Sequence, residues 1–191
     1  MKQKRYAYLK TVFGILMAAA FLVAGSVAAP SAQAASLREN IAAIANAEVG
    51  ASEANARCLK YGPCTEYEWC AIFTQWVWRT AGVKYIPSSW VATQWAQWGE
   101  PRGLYKRRPP GTKGGNPRPG DVAIYGEPDF FDGHISVVVD VLADGNIVTV
   151  DGNWNEAVVR RTVDPLASRG GGGNVLISGY VSPPEADSPS Y

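Results

Sequence analysis

From Ser36 onward the apolar positions fall three and four apart, at Leu37, Ile41, Ala42, Ile44, Ala45 and Val49, the spacing that gathers side chains on one face of an α-helix. Ser36 and Glu39 stand in the capping-box relation, so a first amphipathic helix is predicted to end near Gly50. Thr65 and Glu68 offer a second such box ahead of Trp69, Cys70, Phe73, Trp76 and Val77, with Gly82 as the stop. That predicts a second helix with Cys70 in its first turn or two. Ser88 or Ser89 caps a third, carrying Trp90, Val91, Gln94, Trp95 and Trp98 as far as Gly99. The chain then changes character. Residues 101–120 concentrate Pro, Gly, Arg and Lys and read as a long surface connection. Beyond Gly120 the period drops to two, or to short runs rich in Val and Ile, over 121–125, 134–142, 146–151, 157–163 and 174–181. These predict strands. Asp144-Gly145 marks a hairpin turn, Asp132-Gly133 another tight turn, and Gly170 to Gly173 a flexible loop. Helices first and an antiparallel sheet afterwards make the expected class α+β.

The first 35 residues follow a different grammar. Lys2, Lys4, Arg5 and Lys10 precede an apolar run from Val12 to Ala29, and Ala32-Gln33-Ala34 fits a small-residue cleavage site. This predicts a signal peptide over 1–35, a domain over 36–182 and a flexible tail over 183–191. An uncleaved membrane anchor is the alternative, because about 18 apolar residues just span a bilayer. The whole chain is close to neutral, with 18 Lys and Arg against 17 Asp and Glu. Removing the four leading basic residues leaves 14 against 17, so an exported form is mildly acidic. Nothing in that balance attracts nucleic acid.

Export gives the three cysteines a context, since an oxidising exterior pairs thiols and an odd count leaves one over. Cys58 and Cys64 flank the turn-prone Tyr61-Gly62-Pro63, and a disulfide there closes a small loop. The spacing leaves open a Cys64–Cys70 pair and three free thiols. If Cys58 and Cys64 pair, the residue left over is Cys70, at the start of a helix where unpaired N–H groups and the macrodipole favour a thiolate.

The chain has a single histidine, His134, at the start of a strand just past the Asp132-Gly133 turn. A cysteine at a helix start and a histidine at a strand end are the parts of a thiol nucleophile with its base. The plainer readings are a buried core cysteine and a histidine donating to a nearby carbonyl. Two features favour chemistry: export consumes or removes an idle thiol, and Asp151-Gly152-Asn153 ends the strand after that of His134, where a carboxylate or amide orients an imidazole.

With these residues in view, the sequence resembles the CHAP domains, the cysteine- and histidine-dependent amidohydrolases and peptidases that cut bacterial cell walls. The resemblance runs from about Ile41 to Val181 in four blocks: Trp69-Cys70-Ala71-Ile72-Phe73-Thr74-Gln75-Trp76-Val77, Gly120-Asp121-Val122-Ala123-Ile124-Tyr125, Gly133-His134-Ile135-Ser136-Val137-Val138 and Val150-Asp151-Gly152-Asn153. It implies a papain-like α+β fold with N-terminal helices packed on an antiparallel sheet. It also implies Cys70 as nucleophile and His134 as base, with the third polar role on the last block. Many relatives carry glutamate where this chain has Asp151, one methylene shorter, and Asn153 is slightly favoured over Asp151 as a papain-like amide holding the imidazole. The resemblance implies a peptidoglycan substrate, cut either at the amide between lactyl group and L-alanine or at a peptide bond of the stem or cross-bridge.

Acyl transfer needs an oxyanion donor, and the backbone N–H of Cys70 is the candidate, because Glu66 and Glu68 do not donate when ionised. Trp69, Trp90 and Trp154 are expected to line the substrate groove, whereas helical spacing assigns Trp76 and Trp95 to the core. Six basic residues and no acid lie between Arg102 and Arg118; they read first as a solvated loop and second as a surface for anionic wall polymers. No cofactor is expected. One histidine and no zinc-spaced cysteine pair fall short of a metal site, with calcium near Asp129 and Asp132 the remaining option. The expected partner is cell-wall peptide, without nucleic acid or stable membrane insertion, and the protein is expected to be monomeric. Competing classes are a non-catalytic wall-binding module and a thiol-redox protein, the last ranked lowest because five residues separate each consecutive cysteine pair.

Overall fold

The computed structural model describes residues 36–184; the expected signal segment and nearly all of the expected tail lie outside them. Helix α1 spans Leu37–Ala47, with the Ser36/Glu39 capping box formed at its start. Helix α2 spans Cys70–Ala81 and ends on Gly82 in the left-handed conformation. Two of the expected helix starts are displaced. Trp69, not Thr65, caps α2, and it does so without a side-chain bond. Helix α3 is only Gln94–Gly99, because the Ser89 hydroxyl accepts from the Val91 N–H and closes a turn there instead of opening a helix.

Seven strands follow: β1 (Tyr105–Arg107), β2 (Val122–Tyr125), β3 (His134–Val141), β4 (Ile147–Trp154), β5 (Ala157–Val163), β6 (Arg169–Gly170) and β7 (Val175–Val181). They pair antiparallel in the order β1-β7-β2-β3-β4-β5, with β6 added to β7. The expected α+β class with an antiparallel sheet is the architecture found. Strand β1 lies inside the segment read as a surface connection; its Tyr105-Lys106-Arg107 shows no apolar alternation, and it is held by pairing with Gly179 to Val181. The basic residues around it are largely engaged within the chain. Arg107 pairs with Glu127, Arg108 donates to the carbonyls of Ile177 and Thr112, Lys113 to Asn146, and Arg102 lies over the Trp98 ring. Those contacts fit the solvated-loop reading better than a patch reserved for polyanions.

Strand alternation divides the sheet into two faces. One carries Val122, Ile124, Ile135, Val137, Val148 and Val150 into the main core, under the helices. The other carries Ala123, Tyr125, Val138, Ile147, Val163, Ile177 and Tyr180 into a smaller cluster. Helix α2 packs against α1 and against strands β3 and β4, which is why most of it is buried, Cys70 through Gln75 without a break. Trp95 is in the core as expected, and Trp76 is packed against it. A partly buried ion pair from Arg38 to Asp121, 2.7 Å, fixes α1 to the head of β2.

The seating of α2 on β4 depends on Gly152. A Cβ at that position would lie 2.5 Å from the Cβ of Phe73, so only glycine permits the helix to approach this closely. Gly152→Ala is expected to destabilise the protein by about 1–3 kcal/mol through overpacking. Urea unfolding measures it, and a loss below about 0.5 kcal/mol would mean that the contact relaxes at little cost.

Candidate active site

Two local devices fix the start of α2. Cys58 and Cys64 are joined in a disulfide with their Cα atoms 5.9 Å apart, closing the loop before the helix. Within that loop Tyr61 packs its ring against Trp69, Phe73 and Trp76 and donates its hydroxyl to Glu48, 2.6 Å. Trp69 is fully buried and its indole N–H donates to Glu53, 2.8 Å. The expectation that Trp69 lines the groove is therefore corrected. Its ring points into the core and anchors the helix cap, while the next residue, Cys70, opens α2 as the free cysteine.

His134 is the first residue of β3, opposite Tyr125 on β2. Its Nε2 lies 2.9 Å from Asp151 Oδ1, and His134 lines the same cleft as Cys70. With Nε2–H given to Asp151, Nδ1 is the ring nitrogen left for Cys70. Burial pulls the His134 pKa down, but its interactions with Asp151 and Cys70, with the charges of both, outweigh it and push the value up to about 9. Asp151 is fully buried on β4. Burial there raises the carboxyl, yet the bond and charge of His134, the charge of Arg161 and the Thr149 hydroxyl hold it below its ordinary value.

The slight preference for Asn153 as the imidazole's partner is corrected as well. Residues 151 and 153 share a face of a regular strand, but the β4–β5 register shifts between Asp151 and Trp154. Asn153 adopts φ 56° and its amide donates to Glu68. Asp151 is left as the group on the imidazole.

The thiol and imidazole lie in a cleft of about 490 Å³ whose walls include Glu68, Trp90, Phe131, Trp154 and Gly170 to Gly172. Trp90 is half exposed and pairs with Tyr67, ring centroids 5.4 Å apart. The Gln75 side-chain amide donates to the Ser89 carbonyl, 2.8 Å, and ties the Trp90 loop to α2. Trp154 meets His134 edge-on at 5.5 Å. Two of the three expected groove tryptophans are thus on the cleft wall. Gly170 to Gly173, read as a flexible loop, includes part of that wall: Gly171 has φ 75°, and a Cβ there would lie 2.7 Å from the Gly133 backbone. Among the described residues no group of three or more His, Cys, Asp and Glu could hold a metal, around Asp129 and Asp132 included. None of their helices is long and apolar enough to cross a membrane.

Thr149 and Arg161 complete the surroundings of Asp151 and were not expected from the sequence. Thr149 Oγ1 donates to Asp151 Oδ2 at 2.6 Å, and an Arg161 Nη2 donates to Oδ1 at 3.0 Å.

An α+β domain that brings a thiol at a helix start and an imidazole at a strand start to one cleft, with a buried carboxylate on the imidazole, defines a class of arrangement suited to acyl transfer. In the comparison with known proteins, residues 62–153 match the model of the CHAP domain. The family is one of peptidoglycan amidase- and peptidase-type hydrolases. The matched stretch contains Cys70, His134 and Asp151 and stops short of Arg161. No curated protein matched. Among solved structures, the one titled "The crystal structure of Ly7917" is similar at 15% identity and a TM-score of 0.46, over 78% of this chain and 63% of that one.

Proposed function

We propose that the protein is an exported thiol hydrolase that cuts amide bonds of bacterial peptidoglycan, working as a single chain on a papain-like packing of helix α2 against the sheet. One observation carries the reading: Cys70 and His134 line one cleft, and the His134 ring meets the buried Asp151 carboxylate at 2.9 Å. In the proposed reaction the Cys70 sulfur attacks the amide carbonyl as a thiolate. The first N–H groups of α2, that of Cys70 foremost, have no partner within the helix and face the developing oxyanion. His134, protonated in the resting pair, gives its Nδ1 proton to the departing amine as the C–N bond breaks. The neutral ring then takes a proton from water, which attacks the thioester carbon and releases the carboxylate and the thiol. Asp151 holds the ring by Nε2–H throughout, so each proton passes at Nδ1. Trp90 and Trp154, on the wall of the same cleft, supply apolar surface for the substrate.

The experiment is incubation of the purified protein with Gram-positive sacculi, followed by turbidity and newly released amino groups. Amine release is the expected result, and mass spectrometry of the fragments names the bond. A folded protein that binds sacculi and releases no amine from a range of walls would replace this reading with that of a wall-binding module.

A further inference from the structure

Arg161 on β5 lies outside the matched CHAP stretch and outside the proposed chain of proton transfer, yet it is wired into it. Strand register places Arg161 opposite Thr149 and Val159 opposite Asp151, so Arg161 and Asp151 are diagonal neighbours on one face of the sheet. Its Nη2 donates to Asp151 Oδ1 at 3.0 Å, the same oxygen that His134 Nε2 meets at 2.9 Å, and also reaches the Tyr125 hydroxyl at 3.2 Å. The guanidinium carbon stacks 3.4 Å from the centroid of the Trp154 ring, whose other neighbour is His134. One side chain therefore touches both the carboxylate that orients the imidazole and the aromatic ring on the cleft wall.

We infer that Arg161 is a positioning residue of the thiol–imidazole pair: its fixed positive charge, shared with His134 on one oxygen of Asp151, sets the pH range over which Cys70 reacts, and its stack holds Trp154 against the cleft. The inference rests on the proposed hydrolase reading for its meaning but not for its test. The groups facing His134 are Cys70 from α2, Asp151 from β4 and Tyr125 from β2, with Arg161 behind Asp151. Glu68, Asp132 and Arg169 lie on the cleft wall. Burial keeps Tyr125 protonated well above its ordinary range, so Arg161 is the fixed cation on Asp151.

Removing a cation raises the proton affinity of every nearby group, acid or base. In Arg161→Gln both limbs of the pH–rate profile for Cys70 alkylation by iodoacetamide are therefore expected to move to higher pH, by about one unit. On the acidic limb that is about a tenfold slower reaction at a given pH. Alkylation needs no peptidoglycan, so the result stands even where no wall substrate is cut. The variants are made in the full-length chain and purified after export, with circular dichroism and a thermal melt as folding checks. Arg161→Lys keeps the charge, and its profile is expected to superimpose on that of the parent even if the rate falls. A purely structural arginine predicts the opposite pattern, in which both variants lose rate and stability with unmoved limbs. Unmoved limbs in folded Arg161→Gln overturn the inference. So do limbs of Arg161→Lys that move as far as one unit, a test that remains should the glutamine variant not fold.

Discussion

Cys70→Ala is expected to bring amine release from sacculi down to background, a loss on the order of 10⁴-fold or more, because no other group in the cleft replaces a thiolate as nucleophile. The substitution is structurally mild. Cys70 occupies the first position of α2, alanine is a good helix former, and only one sulfur leaves a site already fixed by the Trp69–Glu53 bond and the Tyr61 ring. Its melting curve should therefore stay close to that of the parent, which separates lost chemistry from lost fold. His134→Ala is expected to cost nearly as much, and the double variant little more than either single one, since nucleophile and base act as a unit. Activity within tenfold of the parent in folded Cys70→Ala would remove the proposed mechanism altogether.

The parts of this site that were legible in the sequence are those set by local patterns. Cys70 at the head of an apolar-periodic run, and the one histidine at the head of an alternating strand, each belong to an element that a glycine bounds, Gly82 after the first and Gly133 before the second. Direction was harder to read. Trp69 and Trp90 are alike as letters, but Trp69 precedes the helix on its core side and is sealed there by Glu53, a contact 16 residues away that no local spacing reveals. Asn153 and Asp151 are likewise equivalent at period two, and only the bulge before Trp154 separates them. A signal existed there, since Asn153, Asn155 and Glu156 all take positive φ and asparagine is the residue that tolerates it. Strand β1 was hidden because an edge strand can be held by its neighbour's backbone and show no apolar pattern of its own. Arg161 carried a fainter mark. It stands with Val159 and Val163 on alternate positions of β5, and a charge in an otherwise apolar row is retained only when something opposite pairs with it.

That pairing gives the second large effect its diagnostic form. Asp151→Asn is expected to lower kcat/KM by about 10²- to 10⁴-fold, since the amide no longer fixes one orientation and proton arrangement of the imidazole and leaves Arg161 facing a neutral group. Asn153→Gly keeps the positive φ and removes only the bond to Glu68, so a loss under about tenfold is expected there. The high-pH limb decides between positioning by Asp151 and mere packing. The bond and charge of Asp151 are among the causes that push His134 up to about 9, so their removal must lower that limb as the imidazolium gives up its proton earlier. Arg161→Gln is expected to move the same limb upward. Opposite displacements from two residues that share one carboxylate oxygen follow from their opposite charges, and a packing defect has no reason to produce them. Equal losses for Asp151→Asn and Asn153→Gly, with both limbs unmoved, would return the third polar role to Asn153.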